Sequence, residues 1–96
     1  MNIDNKDFIK FMQNLYLYNY KINYIDEVNQ QSGFIPLLTA NIILLIDGAR
    51  DYKRLTAKSY KELFSKLITE IDNDREHLIA RVFFRIGNAE FCINRY

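Results

Sequence analysis

Residues 78–96 read LIARVFFRIGNAEFCINRY, and this stretch decides the fold. Leu78, Ala80, Val82, Phe84 and Ile86 alternate onto one face of an extended chain, with Arg81 and Arg85 on the other. That two-residue period is the mark of a half-buried strand. After Gly87-Asn88 a second alternating run follows, Ala89 to Tyr96. Glycine in the first position of a two-residue loop suits a type II′ turn, whose twist matches paired strands. The turn then fixes the register: Ile86 faces Ala89, Arg85 faces Glu90, Phe84 faces Phe91, Val82 faces Ile93 and Arg81 faces Asn94. Apolar side chains meet apolar ones, and an opposite-charge pair forms on the other face. A slip of one residue scrambles both faces, so the pattern specifies the pairing.

Working back from the hairpin, Ser59 with Glu62 forms a capping box at a helix start. Tyr60, Leu63, Phe64, Leu67, Ile68 and Ile71 then recur at helical spacing, and Asp72-Asn73-Asp74 ends the run. Further upstream, Asn41 to Ile46 is apolar and β-branched and stops at Asp47-Gly48. Continuous apolarity points to a central strand buried on both faces, with Asp51 to Thr56 returning as its partner. The competing reading is a helix from Pro36 to Gly48.

In the first third, Asp4 caps a helix in which Phe8, Phe11, Met12 and Leu15 share a face. Tyr16, Tyr18, Tyr20, Ile22 and Tyr24 fall on alternate positions, so a strand starting near Leu15 competes with a helix to about Tyr20. The helix is preferred. Asp26 to Ser32 reads as a short helix capped by Gly33. The expected fold is one small α+β domain over residues 1–96. It has an N-terminal helical region, a strand or hairpin at about 41–56, an amphipathic helix at about 59–72, and a C-terminal antiparallel hairpin at about 78–96.

Ninety-six residues leave no room for a second core, and a chain this short buries only about 60–65% of its unfolded surface. The hydrophobic share of 49%, with seven Tyr and seven Phe but no Trp, is enough to fill a core. Thirteen basic against twelve acidic residues give a formal charge of +1, without the basic excess of a phosphate-backbone binder. A single Cys92 forms no internal disulfide and implies no oxidising compartment. The N-terminus lacks a basic-then-apolar signal layout. The most apolar run, Phe34 to Ile46, is shorter than the ~20 residues that span a bilayer. A cytoplasmic protein without membrane contact is expected. Richness in Ile, Asn, Lys and Tyr fits the AT-rich coding of phage and mobile elements.

Candidate chemistry is sparse. His77 titrates near neutrality but has no partner nucleophile in any motif. Cys92 shares its hairpin face with Arg81, Arg85 and Glu90, and a neighbouring Arg can activate a thiol, yet no hydrolase or redox motif surrounds it. Asp72, Asp74 and Glu76 have cation-like spacing but no calcium-loop continuation. Glycines 33, 48 and 87 are isolated and build no phosphate loop. No catalytic residue, cofactor or metal is expected.

Tyrosine is the feature that core packing does not absorb. Exposed Tyr beside Asn, Asp and Glu is the composition of protein-binding surfaces. The expectation is a small non-enzymatic inhibitor or regulator that occludes another protein: an immunity protein, an antitoxin or a phage counter-defence protein. Its partner-binding residues are Tyr16, Tyr18, Tyr20, Tyr24, Asp26, Glu27, Arg50 and Asp51. The second reading is a winged-helix transcriptional regulator using the cations from Lys53 to Lys66, with the charge balance against nucleic acid. A homodimer through the C-terminal strand is expected if that strand is an unprotected edge.

Overall fold

The computed structural model describes residues 5–27 and 37–96, with side chains for all of these except Asn5, Asp26 and Glu27. The elements are α1 (Asn5–Leu17), β1 (Tyr20–Glu27), β2 (Thr39–Ile46), β3 (Ala49–Thr56), α2 (Tyr60–Asp72), β4 (Ile79–Ile86) and β5 (Ala89–Arg95). The five strands form one antiparallel sheet in the order β1-β5-β4-β2-β3. The domain is α+β, as its sequence pattern indicates.

The hairpin sits at the centre of this sheet. Val82 faces Ile93, Phe84 faces Phe91, Arg85 faces Glu90 and Ile86 faces Ala89, which is the register read from the alternation. Gly87 holds φ +57 and Asn88 is not in the left-handed region, so one glycine carries the turn's strain, as in type II′ geometry. At the start of β4 the alternation is broken. Ile43 pairs with Arg81 and Leu44 with Ile79, so Ala80 is an extra residue in a bulge. The bulge turns Ile79 into the core, where Leu78 and Ala80 were expected, and both of those stay half-buried.

β5 is paired on both sides, because β1 lies along its outer edge from Tyr20–Arg95 to Glu27–Ala89. This corrects the expectation of a free C-terminal edge; among the described residues the edge strands are β1 and β3. It also corrects the helix preferred up to Tyr20. α1 stops at Leu17, and Asn19 takes φ +65, a left-handed conformation that Asn tolerates better than most residues. The Tyr alternation past that point belongs to a strand. A helix beginning at Asp26 is excluded by β1 running to Glu27, while the rest of that reading, with Gly33, lies outside the described residues, as does the Asp4 cap.

β2 and β3 form the second hairpin, and the strand reading of Asn41–Ile46 holds against the helix. Its turn places Asp47 at φ +50 and Gly48 at φ +80, the paired left-handed residues of a type I′ turn. α2 starts where the capping box put it. Ser59 Oγ accepts the Glu62 N–H at 3.1 Å, and the Glu62 carboxylate accepts the Lys58 N–H at 2.9 Å. That contact holds the Glu62 carboxyl below its ordinary range.

Both helices pack on one face of the sheet. Phe11 and Leu15 of α1 and Leu63, Phe64 and Leu67 of α2 meet Ala40, Ile42, Val82, Phe84 and Ile93 in one buried cluster. Aromatic contacts lock its centre: Phe11 stacks on Phe64 at 4.4 Å and Phe84 on Phe91 at 5.5 Å. Among the described residues no helix packs on the opposite face, although Arg85 and Cys92 on that side are buried. β2 is therefore not buried on both sides as expected, since Ile43 is half-buried and Leu45 exposed on the uncovered side. Antiparallel sheets tolerate one solvated face.

Candidate functional site

The four N-terminal tyrosines divide by burial rather than by their side of Asn19. Tyr20 is buried in the core, so it does not offer a ring to a partner. It lies between Asp74, whose carboxylate accepts the phenol at 3.4 Å, and Arg95, whose Nε donates to the phenol oxygen at 3.2 Å. Burial pushes the Tyr20 phenol above its ordinary value, against the lowering effect of Arg95. Tyr16, Tyr18 and Tyr24 are exposed. Tyr16 meets Tyr96 edge to face at 5.7 Å, and Lys21 Nζ lies 5.8 Å from the centre of the Tyr96 ring. The Tyr18 hydroxyl donates to Asp72 at 2.9 Å, which raises its pKa. Leu17, between these rings, is 76% exposed.

The result is an apolar corner made of Tyr16, Leu17, Tyr18 and Tyr96, with Tyr24 further along the β1 edge. Leu17 and Tyr96 were not among the expected residues. Leu17 closes the Leu15-Tyr16-Leu17 end of α1, and Tyr96 becomes a neighbour only because β5 returns beside β1. Arg50 and Asp51 are exposed on β3, at the opposite edge of the sheet, so they do not join the tyrosines. The side chains of Asp26 and Glu27 lie outside the described residues.

The remaining candidates are Asp74, Asp72, His77 and Cys92. Asp74 accepts the Leu78 N–H at 2.8 Å and the Ile79 N–H at 3.0 Å, and lies 3.6 Å from Arg95 Nη2. It is a clamp between the end of α2, the start of β4 and the end of β5. Asp72 is held by Tyr18, and no group of three potential metal ligands occurs among the described residues. His77 is exposed in a left-handed turn with φ +57. Cys92 is buried, and desolvation raises its thiol pKa, with Arg81 lowering it and Glu90 raising it further. That is the opposite of an activated nucleophile.

Lys53 pairs with Glu70 at 2.6 Å, and Lys66 reaches Glu62 at 3.4 Å and the Thr56 carbonyl at 2.7 Å. These cations are spent within the fold. The β4–β5 hairpin lies inside the sheet, not beyond it as a wing. A groove of about 360 Å³ separates α1 and α2, bordered by Asp7, Lys10 and Lys61.

The uncovered sheet face is different in kind. Antiparallel partners point to the same side, so Tyr52 shares a face with Ile43, Arg54 with Asn41, and Asn41 with Phe83. Between them lies a recess of about 320 Å³ lined by Asn41, Ile43, Tyr52, Lys53, Arg54 and Phe83. Arg54 Nε donates to Asn41 Oδ1 at 3.0 Å, which holds the guanidinium across the sheet. No helix among the described residues is long and apolar enough to cross a membrane.

No family model, no curated protein and no solved structure matches this chain.

Proposed function

We propose that the chain is a small non-enzymatic protein-binding module that acts by occluding a partner, in the manner of an immunity protein, an antitoxin or a phage counter-defence protein. The observation that supports this reading is the apolar corner. Tyr16, Leu17 and Tyr96 are each at least 66% exposed, close together, and contribute nothing to the buried cluster. Large rings and an aliphatic side chain kept in water are a cost that folding does not require. Tyrosine offers contact area with few rotatable bonds and a hydroxyl for a directed hydrogen bond, so such a corner supplies anchors at a partner's cleft. The corner stands on rigid elements: α1 ends there, and the Tyr96 N–H donates to the Asn19 carbonyl at 2.9 Å.

Affinity capture from the native host tests the reading, using the wild-type chain beside a Tyr16→Ala/Leu17→Ala/Tyr24→Ala variant. The variant keeps its circular dichroism spectrum and loses the captured protein. Equal capture by both chains removes the corner from the interface.

A further inference from the structure

The sheet face turned away from the helices concentrates charge that the sequence as a whole conceals. By strand register Lys21, Arg50, Arg54, Arg81 and Arg85 lie on this face. The same register gives this face two acidic positions, Glu90 and its β1 partner Asp26, although the chain carries 13 basic and 12 acidic residues. Arg50, Arg54 and Arg81 are exposed and make no ion pair among the described residues. Arg54 lines the Tyr52–Phe83 recess, Arg81 pairs with the recess residue Ile43, and Arg50 pairs with Leu45 two residues further along the same face. The Arg54 Nε is committed to Asn41 and the residue is exposed, and a guanidinium's two terminal nitrogens form a fork suited to phosphate oxygens.

We propose that this face binds single-stranded nucleic acid, with one base seated in the Tyr52–Phe83 recess and the flanking phosphates on Arg50, Arg54 and Arg81. The charge complementarity selects a polyanion, and the recess selects which one. An acidic protein surface uses the guanidinium groups but has no part that needs a recess lined by aromatic residues. An unstacked base does, because every base presents a π-face and aromatic side chains are its usual platform. Asn41 lines the recess, and with its Oδ1 taken by Arg54 its amide group has donors to offer a base edge. A duplex keeps its bases stacked and inaccessible to a flat sheet, so the strand must be single. The recess is bordered by β3, and the apolar corner by β1, at opposite edges of the sheet. This site therefore goes beyond the protein-binding reading and survives or fails independently of it.

Fluorescence anisotropy with 5′-labelled dT20, and with rU20 in parallel, tests the proposal on the full chain. The wild type binds at least one of the two strands, and affinity falls steeply between about 50 and 200 mM salt as counterions are released. Tyr52→Thr, which keeps a strand-forming residue, weakens binding roughly 5- to 100-fold, the range of one lost base stack. Arg54→Gln/Arg81→Gln weakens it further and flattens the salt dependence, while Tyr16→Ala changes nothing. Absence of binding to both strands at low salt overturns the proposal. So does a duplex of equal length binding more tightly, or polyglutamate competing as well as dT20, which marks the face as a docking site for an acidic protein.

Discussion

Phe83 and Phe84 are adjacent in the chain and live in different environments. Phe84 is fully buried, stacked on Phe91 and met edge-on by Phe11 and Phe64. Phe83 points the other way, half-buried beside Asn41 on the face opposite α1 and α2. The alternation of a strand assigns them to opposite faces but does not say which face will be covered. That is settled by the helices, which are 13 residues each and both lie on the Phe84 side. The chain thus separates two tasks. One face of the sheet carries the shared core, and the other keeps Tyr52, Arg50, Arg54 and Arg81 at the surface while Arg85 is buried.

The largest expected effect tests that separation directly. Phe84→Ala removes the centre of the aromatic cluster and costs about 3–5 kcal/mol. That is much of the total for a domain of this size, commonly about 5–15 kcal/mol. Phe83→Ala is expected to cost less than half as much. Urea unfolding of the two variants gives both numbers, and equal losses would mean that the second face is also covered.

The next effect concerns how the covered face is closed at its corner. Asp74 binds two backbone amides of the β4 entry, the Tyr20 phenol and Arg95, with its side chain only 7% exposed. Asp74→Ala strands these donors, and about 2–3 kcal/mol is expected to be lost. Asp72→Ala, which releases only the exposed Tyr18 hydroxyl, serves as the control and is expected to be nearly neutral. A loss no larger than the control's would show that water replaces the carboxylate at no cost.

These residues also show how far sequence reaches. The β4–β5 hairpin and α2 were legible because each is specified locally, by a turn glycine between alternating runs and by a Ser–Glu cap before a helical stripe. β1 was not. Its Tyr alternation was visible, but α1 and β1 compete for residues 16–20, and the decision comes from β5 through 71-residue contacts such as Asn23 with Asn94. For the same reason Tyr20 could not be told from its exposed neighbours: a two-residue period marks a face without marking it as inside. Arg50 and Asp51 were grouped with the tyrosines although the sheet order puts them far apart. The arginine face was illegible, since Arg50, Arg54, Arg81 and Arg85 are dispersed among acids and meet only when β2 lies between β3 and β4.

Titration offers a smaller effect on the same contrast. Burial raises the Tyr20 phenol above its ordinary value of 10.0, so the folded protein keeps it neutral to higher pH than the unfolded chain does. Its contribution to stability is complete below the unfolded value and is lost as pH rises through the folded one. Urea midpoints measured from pH 8 to 11 are expected to fall at the alkaline end, and to fall less in Tyr20→Phe. An equal fall in both proteins would assign the alkaline loss to other groups.

Tyr52→Thr is expected to have the smallest effect on folding, and for that reason it is the most informative about the uncovered face. The ring is 65% exposed on the edge strand β3, and it is absent from the buried cluster. The neighbouring Asp51 carboxylate holds the residue's own N–H at 2.8 Å, a bond that does not depend on the side chain. Threonine keeps the strand propensity, so thermal unfolding should change by no more than about 0.5 kcal/mol, as for most surface substitutions. A loss above about 1.5 kcal/mol would mean that the ring is packed into the fold, and the recess would then be a structural seam. A neutral result leaves an exposed aromatic ring among arginines with no role in stability, which is the condition a binding surface requires.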